Sequence, residues 1–113
     1  MTYRFGKTSL ARMEGVHPLL RECAERVLSY GIMDLTVPPY GGLRTLEDQR
    51  QLVAKGASQT LNSLHRVQET GFGHAIDLVP YPVNWQDITR FAIMGSLMFR
   101  AANELDIPLE WGG

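Results

Sequence analysis

Ser63-Leu64-His65 and, ten residues after Ser63, Gly73-His74-Ala75-Ile76-Asp77 are the stretch on which the reading of this chain turns. A histidine and an aspartate at the two ends of one loop-to-strand segment are half of a zinc site. Zinc takes three or four N, O or S donors, and a catalytic zinc keeps one position open for water. The pattern predicts a strand over Ala75 to Val79, bounded by Pro80 and Pro82, with Ile76 and Leu78 on one face and Asp77 on the other. A carboxylate buried on such a strand is costly unless paired or coordinated. His74, three residues before Asp77, is an alternative donor if the backbone bends at Gly73. The chain stops at Gly113 before an obvious third donor.

Outward from this stretch the chain reads as helices and short strands. Ser9 to Glu14 predicts a helical turn ended at Gly15. Pro18 suits the first turn of a helix, where its missing N–H costs nothing. Leu19, Leu20, Cys23, Val27 and Leu28 then repeat at helical spacing, giving a helix over 18–29 closed by Gly31, with Cys23 as a buried structural thiol. Leu35-Thr36-Val37 is an expected strand, cut by Pro38-Pro39. Thr45, with Asp48 three residues on, opens a helix that Gly56 stops. Residues 57–73 form a long polar connection. From about Trp85 to Leu105, apolar residues track one side of a long helix, with Trp85 as a packing anchor. Ile107 to Trp111 is an expected final strand. The order predicts one α+β domain over 1–113, with a small, mostly antiparallel sheet packed against helices.

Composition narrows the function. With 11 Lys and Arg against 12 Asp and Glu, the net charge is −1, and the basic residues form no stripe, which speaks against a nucleic-acid partner. No run approaches the roughly 20 apolar residues of a membrane span, and the N-terminus lacks the apolar stretch of a signal peptide. The single cysteine fits a reducing compartment. A cytoplasmic location is the expectation.

Ser63, His65, Gly73, Ala75 and Asp77 resemble the Ser-x-His-x-x-Gly-x-Ala-x-Asp motif of zinc peptidases that cleave bacterial cell-wall peptides. That family includes D-Ala-D-Ala carboxypeptidases and the L-alanyl-D-glutamate endopeptidases that bacteriophages use as endolysins. The likeness runs nearly end to end, through Tyr3 to Leu10, Gly15-Val16-His17-Pro18, Asp34 to Val37, Gly42-Leu43-Arg44-Thr45 with Gln49, Gly56 to Ser63, and Pro108 to Gly113. Three departures stand beside it. Arg66 to Phe72 lie between the motif histidine and glycine, where the family has two residues, so His65 and Asp77 are twelve positions apart instead of seven. Pro38-Pro39-Tyr40 lengthens the turn before Gly41-Gly42. The segment that in the family follows Trp-Gly-Gly, carrying the third zinc ligand and the carboxylate base, is absent, and with it the C-terminal strand region.

Carried over residue by residue, the resemblance implies that His65 and Asp77 bind zinc and that Arg44 stabilises the oxyanion as the peptide bond is attacked. Ser63 orients the loop, and Trp111 lines the substrate cleft. Each has a plainer competitor: Arg44 could pair with Glu47 or Asp48, and His17 reads as a solvated residue at a helix start. Glu69 and Glu110 are the nearby candidates for a substitute base, with exposure as their default. The first functional expectation is a zinc-dependent peptidase acting on the wall's stem peptide, most plausibly at L-Ala–D-Glu. The alternative is a catalytically inactive relative that binds wall peptide or a host or phage protein, using the new loops beside the old cleft. A missing strand would also leave a sheet edge open to pairing, which predicts a homodimer.

Overall fold

The computed structural model describes residues 2–110. Four helices and two strands follow one another as α1 (Lys7–Met13), α2 (Pro18–Ser29), β1 (Asp34–Thr36), α3 (Leu46–Ala54), β2 (Val79–Tyr81) and α4 (Ile88–Leu105). The α+β class and the antiparallel pairing are as the sequence predicts. Helix α2 starts on Pro18, with His17 as its N-cap: the imidazole Nδ1 accepts the Leu19 N–H. Helix α3 carries a complete capping box, in which Thr45 Oγ1 accepts from Asp48 N and the Asp48 carboxylate accepts from Thr45 N, both at 3.0 Å. That box occupies Asp48, so Asp48 does not serve as the partner of Arg44.

The core lies between α2 and α4. Cys23, Ala24, Val27 and Leu28 face Met94, Leu97, Met98, Ala101 and Ala102, and Met33, Leu35 and Val37 extend the cluster towards the sheet. Each large apolar side chain buried there contributes roughly 1.5–3 kcal/mol. The ion pair between the same helices, Arg26 to Glu104, is solvent-exposed, as is the Arg100–Glu104 pair within α4, and exposed pairs of this kind add little to stability. Packing, not charge, therefore holds α2 on α4. Cys23 has no exposed surface, and burial, aided by Glu22, pushes its thiol pKa up.

Three expected boundaries are corrected. The strand predicted over Ala75 to Val79 lies instead at Val79–Tyr81, paired antiparallel with Asp34–Thr36 and with Pro80 opposite Leu35. Proline is tolerated there because directly opposed residues of an antiparallel ladder alternate between bonded and non-bonded pairs, and the second kind asks for no N–H. Helix α4 begins at Ile88, not near Trp85, because the Asp87 side chain caps it by accepting from Arg90 N. Trp85 stays outside the helix, 64 % exposed and stacked on Phe91 at 5.8 Å, so it is not a buried anchor. Residues 107–110 form no strand. Asp106 takes a left-handed conformation that ends α4, and Ile107 N turns back to Ala102 O. Trp111 lies outside the described residues.

One close approach ties the helical layer to the loops that carry the polar residues. A Cβ on Gly42 would stand 1.6 Å from the backbone oxygen of Arg12 at the end of α1, so only glycine lets these two backbone segments touch. Gly42→Ala is expected to destabilise the fold by at least the roughly 1–3 kcal/mol of an overpacked core, read as a lowered midpoint in urea denaturation. Cys23 is expected to resist a disulfide exchange reagent in the native protein and to react fully once the chain is unfolded, because only the thiolate attacks; rapid labelling of native protein would contradict its burial.

Candidate functional site

Three loop segments build the site by exchanging backbone hydrogen bonds. Arg44 N donates to His65 O (2.8 Å), His74 N to Leu64 O (2.7 Å) and Asp77 N to Gly41 O (2.7 Å). Residues 41–44, 63–65 and 74–77 are thus laced together without forming a regular sheet. Ile76 and Leu78 pack against the core cluster, which sends Asp77 the other way.

The residues between His65 and Gly73 fold back on themselves. A single antiparallel bridge joins Val67 to Gly73, Gln68 N donates to Phe72 O, and Gly71 N closes the turn on Gln68 O. Gly71 supplies the positive φ, 85°, that this turn requires. The Gln68 amide also donates to Ser63 O and Arg66 O. The expansion is a closed hairpin standing out from the site, so its two ends meet. At its base Gly73 N donates to Gly15 O, and His17 N donates to Gly73 O, both at 2.8 Å.

His65 and Asp77 consequently converge. The imidazole is buried, with its Nδ1 2.9 Å from Gly42 O. A carbonyl only accepts, so Nδ1 carries the proton and donates, and Nε2 is left facing Asp77 Oδ1 at 3.5 Å. That distance is long for a hydrogen bond. It matches the spacing of about 3.3–3.5 Å between two donors of a tetrahedral ion bound at about 2.0–2.2 Å. Fixing one imidazole nitrogen on a carbonyl so that the other presents its lone pair is the usual arrangement of a metal-binding histidine. The side chain of Asp77 is 51 % exposed, so the cost of burying a carboxylate is no argument for a partner here.

Arg44 completes the group. Its Nε donates to Tyr40 O (2.8 Å), Nη1 to Gln49 Oε1 (3.3 Å) and Nη2 to Asp77 Oδ2 (3.4 Å). Its ion-pair partner is thus Asp77, and neither Glu47 nor Asp48 pairs with it. The lengthened turn before Gly41 contributes directly: Gly41 N closes it on Pro38 O, and Tyr40 sits at φ 62°, as in a type II turn with Pro39 before it. Its carbonyl is the one that accepts from Arg44 Nε.

The remaining candidates separate. Ser63 Oγ accepts from His65 N at 3.1 Å, at the mouth of the loop. His74 does not join the pair: its Nε2 lies 2.7 Å from Thr70 Oγ1, and its ring packs edge-on against His17 at 5.3 Å. His17 is half-buried in this contact and in its cap, not freely solvated. Glu69 and Glu110 are exposed, and no cluster of three His, Cys, Asp or Glu able to hold a metal occurs among the described residues. Gln49 is the participant that sequence reasoning missed as a site residue. It appeared only as one matched position beside Gly42 to Thr45, and the fact that it is wholly buried becomes visible only in the fold.

Residues 1–113 match the profile of the family described as phage L-alanyl-D-glutamate peptidase. The chain is similar to the L-alanyl-D-glutamate peptidase of Escherichia phage T5, with 31 % identity over 99 % of this chain and 81 % of that protein. It also superposes on the crystal structure of Serratia marcescens L-Ala D-Glu endopeptidase ChiX with a TM-score of 0.80 and 36 % identity, over 99 % of this chain and 80 % of the other. The chain belongs to the phage L-alanyl-D-glutamate peptidase family.

Proposed function

We propose that the protein is a peptidase of the phage endolysin type that hydrolyses the L-Ala–D-Glu bond in the stem peptide of bacterial cell walls, using zinc held by His65 and Asp77. The observation that carries this reading is the pairing of His65 Nε2 with Asp77 Oδ1 at 3.5 Å while Nδ1 is committed to Gly42 O. Two acceptor atoms facing each other across that gap need a proton or a cation between them. The ordinary spacing of zinc donors makes a metal a good fit. Family membership supplies the bond and the substrate class.

Within that reading each residue has a definite task. His65 and Asp77 hold the ion. Zinc, where bound, supplies a water of lowered pKa and polarises the scissile carbonyl. Arg44, with N–H groups left beyond its three acceptors, offers positive charge to the oxygen that becomes negative as the carbonyl is attacked. Ser63 keeps the His65 backbone in register, and the exposed side of Asp77 leaves room for a peptide to approach.

The second reading, a non-catalytic relative that binds wall peptide or a partner protein, is favoured by one observation. No third donor joins His65 and Asp77 among the described residues. Two protein donors hold zinc weakly compared with three or four, so slow turnover by this chain is expected even where the fold is intact.

The two readings part in one experiment. Purified protein is assayed for zinc by elemental analysis and for release of L-Ala and D-Glu termini from isolated cell walls, with and without added zinc. The peptidase reading expects zinc-stimulated cleavage that chelator abolishes and that His65→Ala and Asp77→Asn lose without loss of fold. Wall binding in sedimentation with no new termini under any metal condition would establish the binding reading instead.

A further inference from the structure

We infer that Gln49 is a positioning residue: its buried amide holds the Arg44 guanidinium on one side and the loop leading to His65 on the other. The inference deepens the peptidase reading and rests on it for its kinetic arm.

Gln49 is the one fully buried residue of α3, and it is polar. An amide placed there without partners would be costly, because burial strips it of its hydrogen bonds to water. Its atoms are instead all engaged. Oε1 accepts from Arg44 Nη1 at 3.3 Å, and Nε2 donates to Ser58 Oγ at 2.8 Å and to Thr60 O at 2.7 Å. This orientation is forced, because a guanidinium only donates and a backbone carbonyl only accepts. Gln49 and Tyr40 O therefore pin two corners of the guanidinium, and Nη2 is the corner delivered to Asp77.

The other half of the amide reaches the segment that leads to Ser63, whose hydroxyl accepts from His65 N. One side chain thus links the cation to the loop carrying the imidazole. Gln49 has no exposed surface, so it acts through Arg44 and the loop and does not touch substrate. A purely structural amide would stabilise the fold without governing the rotation of Arg44, and that difference is measurable.

The test uses the full chain labelled with ¹⁵N-arginine, in wild type, Gln49→Met and Gln49→Glu. Methionine matches the shape of glutamine but cannot replace its acceptor, whereas glutamate keeps an oxygen facing Arg44. Wild type is expected to show a slowly exchanging Arg44 Nη1–H resonance, from the group that donates to Gln49. Gln49→Met, with unchanged circular dichroism, should broaden it and lower kcat on purified wall peptide by about 10-fold, in the range for loss of an outer-shell partner, while KM stays nearly unchanged. Gln49→Glu should restore the resonance, because it keeps an acceptor for Arg44, but only part of kcat, because a carboxylate cannot donate to Thr60 O. A folded Gln49→Met protein with a sharp Arg44 signal and wild-type kcat would overturn the inference. If Gln49→Met does not fold, Gln49→Asn, one methylene too short to reach both partners, carries the same test. Absence of hydrolysis by wild type would count against the peptidase reading alone, and the resonance would then decide the role of Gln49 by itself.

Discussion

The site depends on the seam at Gly73, where one residue is bonded to the turn between α1 and α2 on one side and bridged to Val67 on the other. Because the strand-like return of the hairpin is fixed there, the number of residues between His65 and Gly73 has little effect on where His65 and Asp77 end. The energetics agree. Doubling the length of a flexible loop costs only about 0.6 kcal/mol in closure entropy, and each hydrogen bond inside the hairpin returns roughly 0.5–1.5 kcal/mol. An expansion that closes on itself can therefore be carried by the fold without disturbing the pair it separates in sequence.

The same seam explains which histidine faces Asp77. His74 follows Gly73 directly and is drawn towards His17 and Thr70, on the side of the α1–α2 turn. His65 lies one hydrogen-bonded row away, where Gly42 can press against Arg12 and turn its carbonyl to the imidazole. Two histidines close in space are thus given different work by backbone bonding alone.

Much of the fold was legible because its signals are local. Pro18, the Thr45–Asp48 box and the spacing of Cys23, Val27 and Leu28 each report on their own turn of helix. The start of α4 was misplaced because Trp85 looks like a core residue, whereas the cap at Asp87 stops the helix short of it. The strand at Val79–Tyr81 was hidden by Pro80, whose tolerance depends on the register with Leu35, a nonlocal fact. The hairpin at 67–73 has neither apolar alternation nor a two-residue turn signature, so nothing marked it. In the site, Arg44, His65 and Asp77 could be named from the motif they resemble. The half-exposure of Asp77 and the burial of Gln49 could not, since both follow from which loops pack against which.

The charges of the site are arranged to be exchanged more than to be locked. Arg44 touches Asp77 Oδ2 at 3.4 Å, but that carboxylate is half in water, and pairs so screened contribute about 1 kcal/mol or less. The guanidinium itself is held by Tyr40 and Gln49 and does not rely on Asp77 to stay in place. Asp77 can therefore change partners at Oδ1 while Arg44 remains where it is. His65, sealed on its Nδ1 side by Gly42, can offer only Nε2. An imidazole and a guanidinium, each held on a backbone carbonyl, flank a carboxylate that is half in water, so among the described residues the site opens to solvent on the Asp77 side.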